Sequence, residues 1–197
     1  ARGVSNHFVR GDGQYIKCAG ESCCKSLDGK LPLLPGERPV MKDWNDHITT
    51  IFPEVRLKKY LEMRGSDSGP WRRLCALPAL WTGVLYEQGP LDAAWDLVKD
   101  WTAVERQALR DAVPREGLRA KVRGRTVQDI ARDMLKLSRA GLEARNRQGC
   151  KGKSEASFLD LLDETVATGK TAAENLLDLY KGTWKGNIER VFRDFAY

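Results

Sequence analysis

The chain has 197 residues, 42% hydrophobic and 30% charged, with 33 basic against 27 acidic side chains and a formal charge of +6. That length and balance suffice for a packed core and exclude a wholly disordered chain. No apolar run reaches the ~20 residues of a membrane-spanning helix, since the longest, from Leu74 to Leu85, is broken by Pro78 and Gly83, and the chain is expected to be soluble. The first residues, Ala1-Arg2-Gly3-Val4, carry neither an initiator Met nor a charged-then-apolar leader, as expected of a processed or incomplete end.

The character of the chain changes near residue 70. Before it, turn signals dominate: Gly11-Asp12-Gly13, Asp28-Gly29, and Leu31-Pro32-Leu33-Leu34-Pro35-Gly36. From Glu54 to Arg64 the residues alternate as in a single strand. Val55, Leu57, Leu61 and Met63 share one face; Arg56, Lys58, Tyr60, Glu62 and Arg64 share the other. An apolar face on the core and a charged face in water is the ordinary account of such a strand.

After residue 70 the spacing predicts successive amphipathic helices. Pro90 in a first turn precedes a helix from Leu91 to Trp101. Thr102 and Glu105 form a capping box, and Thr126 caps a longer helix bearing Ile130, Met134, Leu137 and Leu142. Ser154 or Ser157 opens a segment with Phe158, Leu161, Leu162 and Val166, stopped by Gly169. Thr171 and Glu174 form a second capping box for Leu176, Leu177 and Tyr180, and Ile188, Val191, Phe192 and Phe195 make the last stripe. Leu161, Leu177, Val191 and Phe192 are expected to be buried. The pattern is α+β, with a partial sheet segment over residues 1–70 and a helical region over 71–197, forming one compact unit.

Cys18, Cys23, Cys24, Cys75 and Cys150 form an odd set without a CxxC or a His at ligand spacing, which argues against a zinc site or a disulfide framework. The adjacent Cys23-Cys24 reads as buried small hydrophobes, with reactive thiols as the alternative. Two stretches are one-sidedly basic: Arg115, Arg119, Lys121, Arg123 and Arg125, then Arg145, Arg147, Lys151 and Lys153. Neither is interleaved with aromatics that stack on bases, so nucleic acid is not expected among the partners. His47, in a Trp-x-x-His pattern within a helix, reads as a locally hydrogen-bonded residue rather than a proton-transfer group.

One segment carries a specific resemblance: Phe52-Pro53-Glu54-Val55-Arg56-Leu57-Lys58-Lys59-Tyr60-Leu61-Glu62-Met63-Arg64-Gly65-Ser66-Asp67, followed by Gly69-Pro70-Trp71-Arg72-Arg73-Leu74-Cys75-Ala76-Leu77-Pro78-Ala79. It resembles the strand-and-helix signature of glutamate–cysteine ligases of the plant and proteobacterial type, in their C-terminal part. Similarity extends upstream through Gly29-Lys30-Leu31-Pro32 and Asp43-Trp44-Asn45-Asp46-His47, and downstream through Thr168 to Glu174. Cys23 and Ser26 stand where the family carries aromatics.

The resemblance implies a short antiparallel sheet portion of a glutamine synthetase-like fold followed by a helical cluster. It implies Mg²⁺ and ATP as cofactors, Glu62 as a metal-side carboxylate, and Arg64 as the catalytic cation on substrate or phosphate oxygens. A spacing of two on a strand suits that pairing, because it sets carboxylate and guanidinium side by side. Arg72 and Arg73 would serve the nucleotide phosphates, or equally mark the exposed start of a helix. Thr168-Gly169-Lys170-Thr171 imitates the end of a phosphate loop, but Glu164 stands where the earlier Gly belongs.

Most of the ATP and metal site of such a ligase lies outside this segment, so the chain is expected to be inactive alone. It is then either one piece of a working ligase or a catalytically dead, ligase-derived subunit of a larger assembly. In both cases a protein partner should cover the sheet edge. Similarity to plant-type enzymes implies an organelle, chloroplast or mitochondrion, and a bacterial source would imply the cytoplasm.

Overall fold

The computed structural model describes residues 5–11, 14–66, 69–149 and 152–196, without the side chains of residues 5–11, 15, 71 and 72. The chain divides into two compact units, Ala1–Ser66 and Asp67–Tyr197.

The first unit is built from short antiparallel pairs. Strands β1 (Ser5–Gly11) and β2 (Gln14–Ser22) pair with an irregularity between Asn6 and Phe8; Asp12 and Gly13 of the expected turn lie outside the described residues. Helix α1 (Cys23–Leu27) follows, and Gly29 at φ 68° turns the chain into the pair β3 (Lys30–Leu31) and β4 (Leu34–Pro35). Helix α2 (Met41–Thr49) starts where the Asp43 carboxylate accepts the Val40 N–H at 2.8 Å. Cys18, Cys23, Leu31 and His47 are buried here. The cysteine pair divides: Cys23 is buried and Cys24 exposed.

The expected single strand from Glu54 to Arg64 is instead a hairpin, β5 (Val55–Leu57) and β6 (Leu61–Met63), turned by Lys58, Lys59 and Tyr60. Its register sets Val55 opposite Met63, Arg56 opposite Glu62 and Leu57 opposite Leu61. Partners therefore share odd or even numbering, so the hairpin keeps the same two faces as one long strand would. Alternation alone is blind to this difference.

The second unit is helical. Helices α3 (Trp71–Leu74), α4 (Ala76–Leu85), α5 (Gln88–Val98) and α6 (Ala103–Glu116) precede a small hairpin, β7 (Lys121–Val122) and β8 (Arg125–Thr126). Then come α7 (Val127–Arg145), a 3₁₀ turn over Glu155–Leu159, α8 (Asp160–Thr168), α9 (Ala172–Lys181) and α10 (Arg190–Asp194). Thr102, Thr126 and Thr171 each accept the N–H three residues on, and Glu105, Asp129 and Glu174 each reach back to the capping N–H. Ser154 opens the 3₁₀ turn, and Gly169 at φ 67° closes α8. Helix α5 begins three residues earlier than expected, at Gln88, and ends at Val98. Pro90 still falls in its first turn, where a missing N–H costs nothing.

The core gathers Ala79 on α4, Leu135 and Leu142 on α7, Ala156 and Leu159 on the 3₁₀ turn, and Val166 on α8. At its centre α4 and α7 meet almost backbone to backbone. A Cβ on Gly83 would lie 2.1 Å from the Ser138 carbonyl oxygen, and one on Gly141 would lie 1.9 Å from that of Gly83. The buried Ser138 hydroxyl donates to Leu80 O at 3.0 Å, so the close approach leaves that polar group bonded. Arg139 clamps α7 to the next elements through Ala156 O at 3.2 Å, Asp160 at 3.0 Å and the Asp163 carboxylate.

Burial departs from the amphipathic reading toward the end of the chain. Leu161 and Val191 are half-buried, Leu177 is exposed, and Phe192 is 76% exposed. A stripe is buried only where another apolar surface faces it, and α10 has five residues with which to hold such a contact. Trp184 is the buried anchor of this region, donating its ring N–H to Asp194 at 2.9 Å with Phe195 packed edge-on.

Candidate functional site

The hairpin β5–β6 positions the candidate site. Arg56 and Glu62 are directly opposed across the pair, and Arg64 follows β6 by one residue. Arg56 Nε donates to Glu62 Oε2 at 2.8 Å, and Arg64 Nη1 reaches the same oxygen at 3.4 Å. The Arg64 N–H donates to Glu54 O at 2.7 Å, which fixes the chain just beyond the strand. The Arg64 guanidinium also lies 4.8 Å from the centre of the Phe52 ring, a cation–π contact. One carboxylate is thus gripped by two guanidinium groups, and one of those rests on an aromatic ring.

The hydrogen bond from Arg56 holds the Glu62 carboxyl below the usual carboxylate range; partial burial opposes this, and the charges of Arg56, Lys58 and Arg64 add to it. Glu62 is therefore ionised at neutral pH, as an oxygen ligand for a hard cation must be. Fixing one oxygen with cations leaves the carboxylate further acceptor capacity on the other, Oε1. Arg56 and Arg64 are fixed cations of the type that hold phosphate or carboxylate oxygens. Among the described residues, no group of three His, Cys, Asp or Glu is placed to hold a metal ion. Mg²⁺ takes near-octahedral oxygen coordination, and of the three clustered side chains Glu62 alone offers oxygen.

On the hairpin, Lys58 and Tyr60 are exposed and Met63 is half-buried as expected, but the other residues of the two faces depart from expectation. Side chains of Arg56, Glu62 and Arg64 are between 23% and 31% exposed, whereas Val55, Leu57 and Leu61 are 48%, 79% and 57% exposed. The cause is local: the charged residues find one another across the pair, which removes their need for water, while nothing equivalent draws in the apolar side chains. Arg56 is the principal partner of Glu62, and alternation in the sequence placed it only on the ionisable face. Recognising the three-residue turn Lys58-Lys59-Tyr60 would have paired it.

Of the other candidate residues, Arg73 lies in the second unit, on α3, with Nη2 3.4 Å from Thr165 Oγ1 on α8. The side chain of Arg72 lies outside the described residues. His47 is buried on α2, with its ring 5.9 Å from that of Trp44, and its carbonyl accepts the Thr50 hydroxyl. The Thr168–Thr171 segment is a helix stop followed by a cap, not a phosphate loop. Within the first basic stretch, Arg119 pairs with Glu174, Arg123 with Glu105 and Arg125 with Asp133.

Residues 4–194 match the family model described as glutamate-cysteine ligase family 2 (GCS2). The chain is 50% identical over 194 residues to the chloroplastic glutamate–cysteine ligase of Arabidopsis thaliana, covering 98% of this chain and 36% of that protein. It is 48% identical over 194 residues to the chloroplastic enzyme of Brassica juncea, covering 37% of that protein. Against glutamate–cysteine ligase B of Oryza sativa subsp. japonica the identity is 47%, covering 38% of that protein. The chain thus spans a little over a third of the length of these curated relatives.

Proposed function

The chain belongs to glutamate–cysteine ligase family 2, and from that membership we propose that it supplies part of a ligase site that joins glutamate to cysteine, the first step of glutathione synthesis. In that reaction ATP activates the glutamate side-chain carboxylate as an acyl phosphate, and the cysteine amine displaces phosphate. Glu62 contributes one oxygen ligand toward Mg²⁺, and Arg64 holds substrate or phosphate oxygens with Arg56 beside it. Arg73, with Arg72, serves the nucleotide phosphates. The observation that carries this reading is the Arg56–Glu62–Arg64 cluster on one hairpin face.

The remaining Mg²⁺ and nucleotide ligands come from another part of a ligase polypeptide, so the chain is silent by itself. Its partner covers the sheet edge and buries Glu62 and Arg64, supplying acidic or carbonyl oxygens to the positive side chains. An organelle is the proposed compartment, supported by the chloroplastic names of the relatives. The second reading keeps the fold and drops the chemistry: a ligase-derived structural subunit in which Glu62 and Arg64 are relics.

Phosphate release dependent on both glutamate and cysteine tests the proposal. The purified 197-residue chain should show none, and a complex with a complementary ligase chain should show release that Glu62→Ala abolishes. Release by the chain alone, lost on Glu62→Ala, would overturn the incomplete-site reading. A complex whose activity is indifferent to Glu62→Ala and Arg64→Ala would overturn the assigned roles.

A further inference from the structure

Three contacts hold Arg64, and they are unequal. Its backbone N–H donates to Glu54 O at 2.7 Å, its Nη1 reaches Glu62 Oε2 at 3.4 Å, and its guanidinium lies 4.8 Å from the centre of the Phe52 ring. Glu62 makes its short bond to Arg56, at 2.8 Å, while 3.4 Å lies beyond the usual range of an N–H···O bond. Glu62 therefore orients Arg56 firmly and Arg64 weakly. The backbone bond fixes the main chain and leaves the side-chain torsions to be set elsewhere. Phe52 is 68% exposed, so burial in the core does not account for an aromatic there. Pro53 follows it and restricts its backbone to extended conformations, which sets where the ring leaves the chain.

We propose that Phe52 is a positioning residue for Arg64: its ring sets the direction in which the guanidinium meets an oxyanion, a carboxylate or phosphate oxygen of the substrates. This rests on the ligase reading above and adds to it the group that aims the cation. An aromatic ring suits that task better than a second carboxylate. A carboxylate beside Arg64 would orient it by taking its N–H donors and cancelling its charge. The ring attracts the cation through its π face and has no oxygen to compete with an incoming anion. Because Glu62 is bonded mainly to Arg56, Arg64 keeps most of its charge for a ligand while Phe52 restrains its rotation. A cation aimed before the ligand arrives needs no reorganisation when charge develops.

Phe52→Leu and Phe52→Tyr test this in two settings. In the isolated chain, Arg64 is followed by ¹⁵N relaxation at Nε and by the ring-current shift of its Cδ protons. The unmutated chain should show that shift, and its absence would overturn the inference even if the variants fail to fold. Phe52→Leu should abolish the shift and lower the Nε order parameter below ~0.6, whereas Phe52→Tyr should keep both. The melting midpoint should move by under ~2 °C in either variant, the residue being largely exposed. In the complex with a complementary ligase chain, kcat/KM should fall about 3- to 30-fold in Phe52→Leu and recover in Phe52→Tyr. A rise in KM for glutamate identifies the oxyanion as a carboxylate; a rise in KM for ATP identifies it as a phosphate. An Arg64 side chain equally ordered in Phe52→Leu would overturn the inference. So would a complex that loses activity with Arg64→Ala and not with Phe52→Leu, and the ligase reading would then stand. Activity indifferent to Arg64→Ala, with Arg64 loosened by Phe52→Leu in the isolated chain, would overturn the ligase role of Arg64 and support the hold of the ring on it.

Discussion

The two units of this chain solve the burial problem in contrary ways. The helical unit closes one cluster of its apolar residues around Leu135, Leu142 and Leu159, with Val104, Leu177 and Phe192 left exposed, and holds its charges at the surface in caps and ion pairs. The hairpin of the first unit pairs its charges across the strands and leaves Leu57 and Leu61 outside. Hydrophobic burial accordingly stabilises the second unit, whereas paired charge and strand hydrogen bonds hold the hairpin. A helical cluster and a two-stranded hairpin need not be stabilised by the same force.

The contrast is broken most severely at the α4–α7 crossing. Gly141→Ala puts a methyl 1.9 Å from a backbone oxygen that has no rotamer by which to retreat, so the helices must part. A loss of more than ~3 kcal/mol is expected in denaturant unfolding, at the upper end of overpacking effects. Next comes Leu159→Ala, which empties a fully buried site and should cost about 3 kcal/mol, against under ~0.5 kcal/mol for Leu57→Ala in the isolated chain. Equal costs for Leu159→Ala and Leu57→Ala would erase the difference between the units.

Removing a cap is a smaller perturbation. Thr171→Ala deletes the hydroxyl that accepts the Glu174 N–H and should cost about 1 kcal/mol, read as a shift in thermal unfolding. Its partner adds a pH signature. The Thr171 N–H, then Arg119, then the Thr171 hydroxyl hold Glu174 down to about 2 from 4.5, and Arg123 with Thr102 does the same for Glu105. For a lowered carboxylate pKa the stabilisation is complete above the unfolded value and is lost as pH falls through the folded one. Acid titration followed by helical circular dichroism should therefore show a decline between pH 4.5 and about 2, shallower in Glu174→Gln.

The smallest effect is expected at Phe192, an aromatic on an apolar stripe that is nonetheless largely exposed. Phe192→Ala should change stability by under ~0.5 kcal/mol, where a packed Phe would cost about 3–5 kcal/mol. A loss in the packed range would place α10 against a core.

Local chemistry was legible in the residues alone. The capping boxes at Thr102 and Thr171, the cap at Thr126, and the stop at Gly169 each depend on groups within a few residues of one another, and all are present. The alternation of Val55 to Met63 also assigned two faces, because a hairpin with partners of like parity divides them as one strand does. That Arg56, Glu62 and Arg64 are better covered than Leu57 and Leu61 was not in that pattern: it followed from Arg56 finding Glu62 across the turn. Likewise the spacing of Leu177 and Phe192 makes a stripe but cannot supply the surface that would cover it. The approach of α4 to α7 came from Gly83, Ser138 and Gly141, residues that a search for large apolar side chains passes over. Sequence determined the interactions that a residue makes with near neighbours; tertiary structure decided burial, because burial requires a second surface brought from elsewhere in the chain.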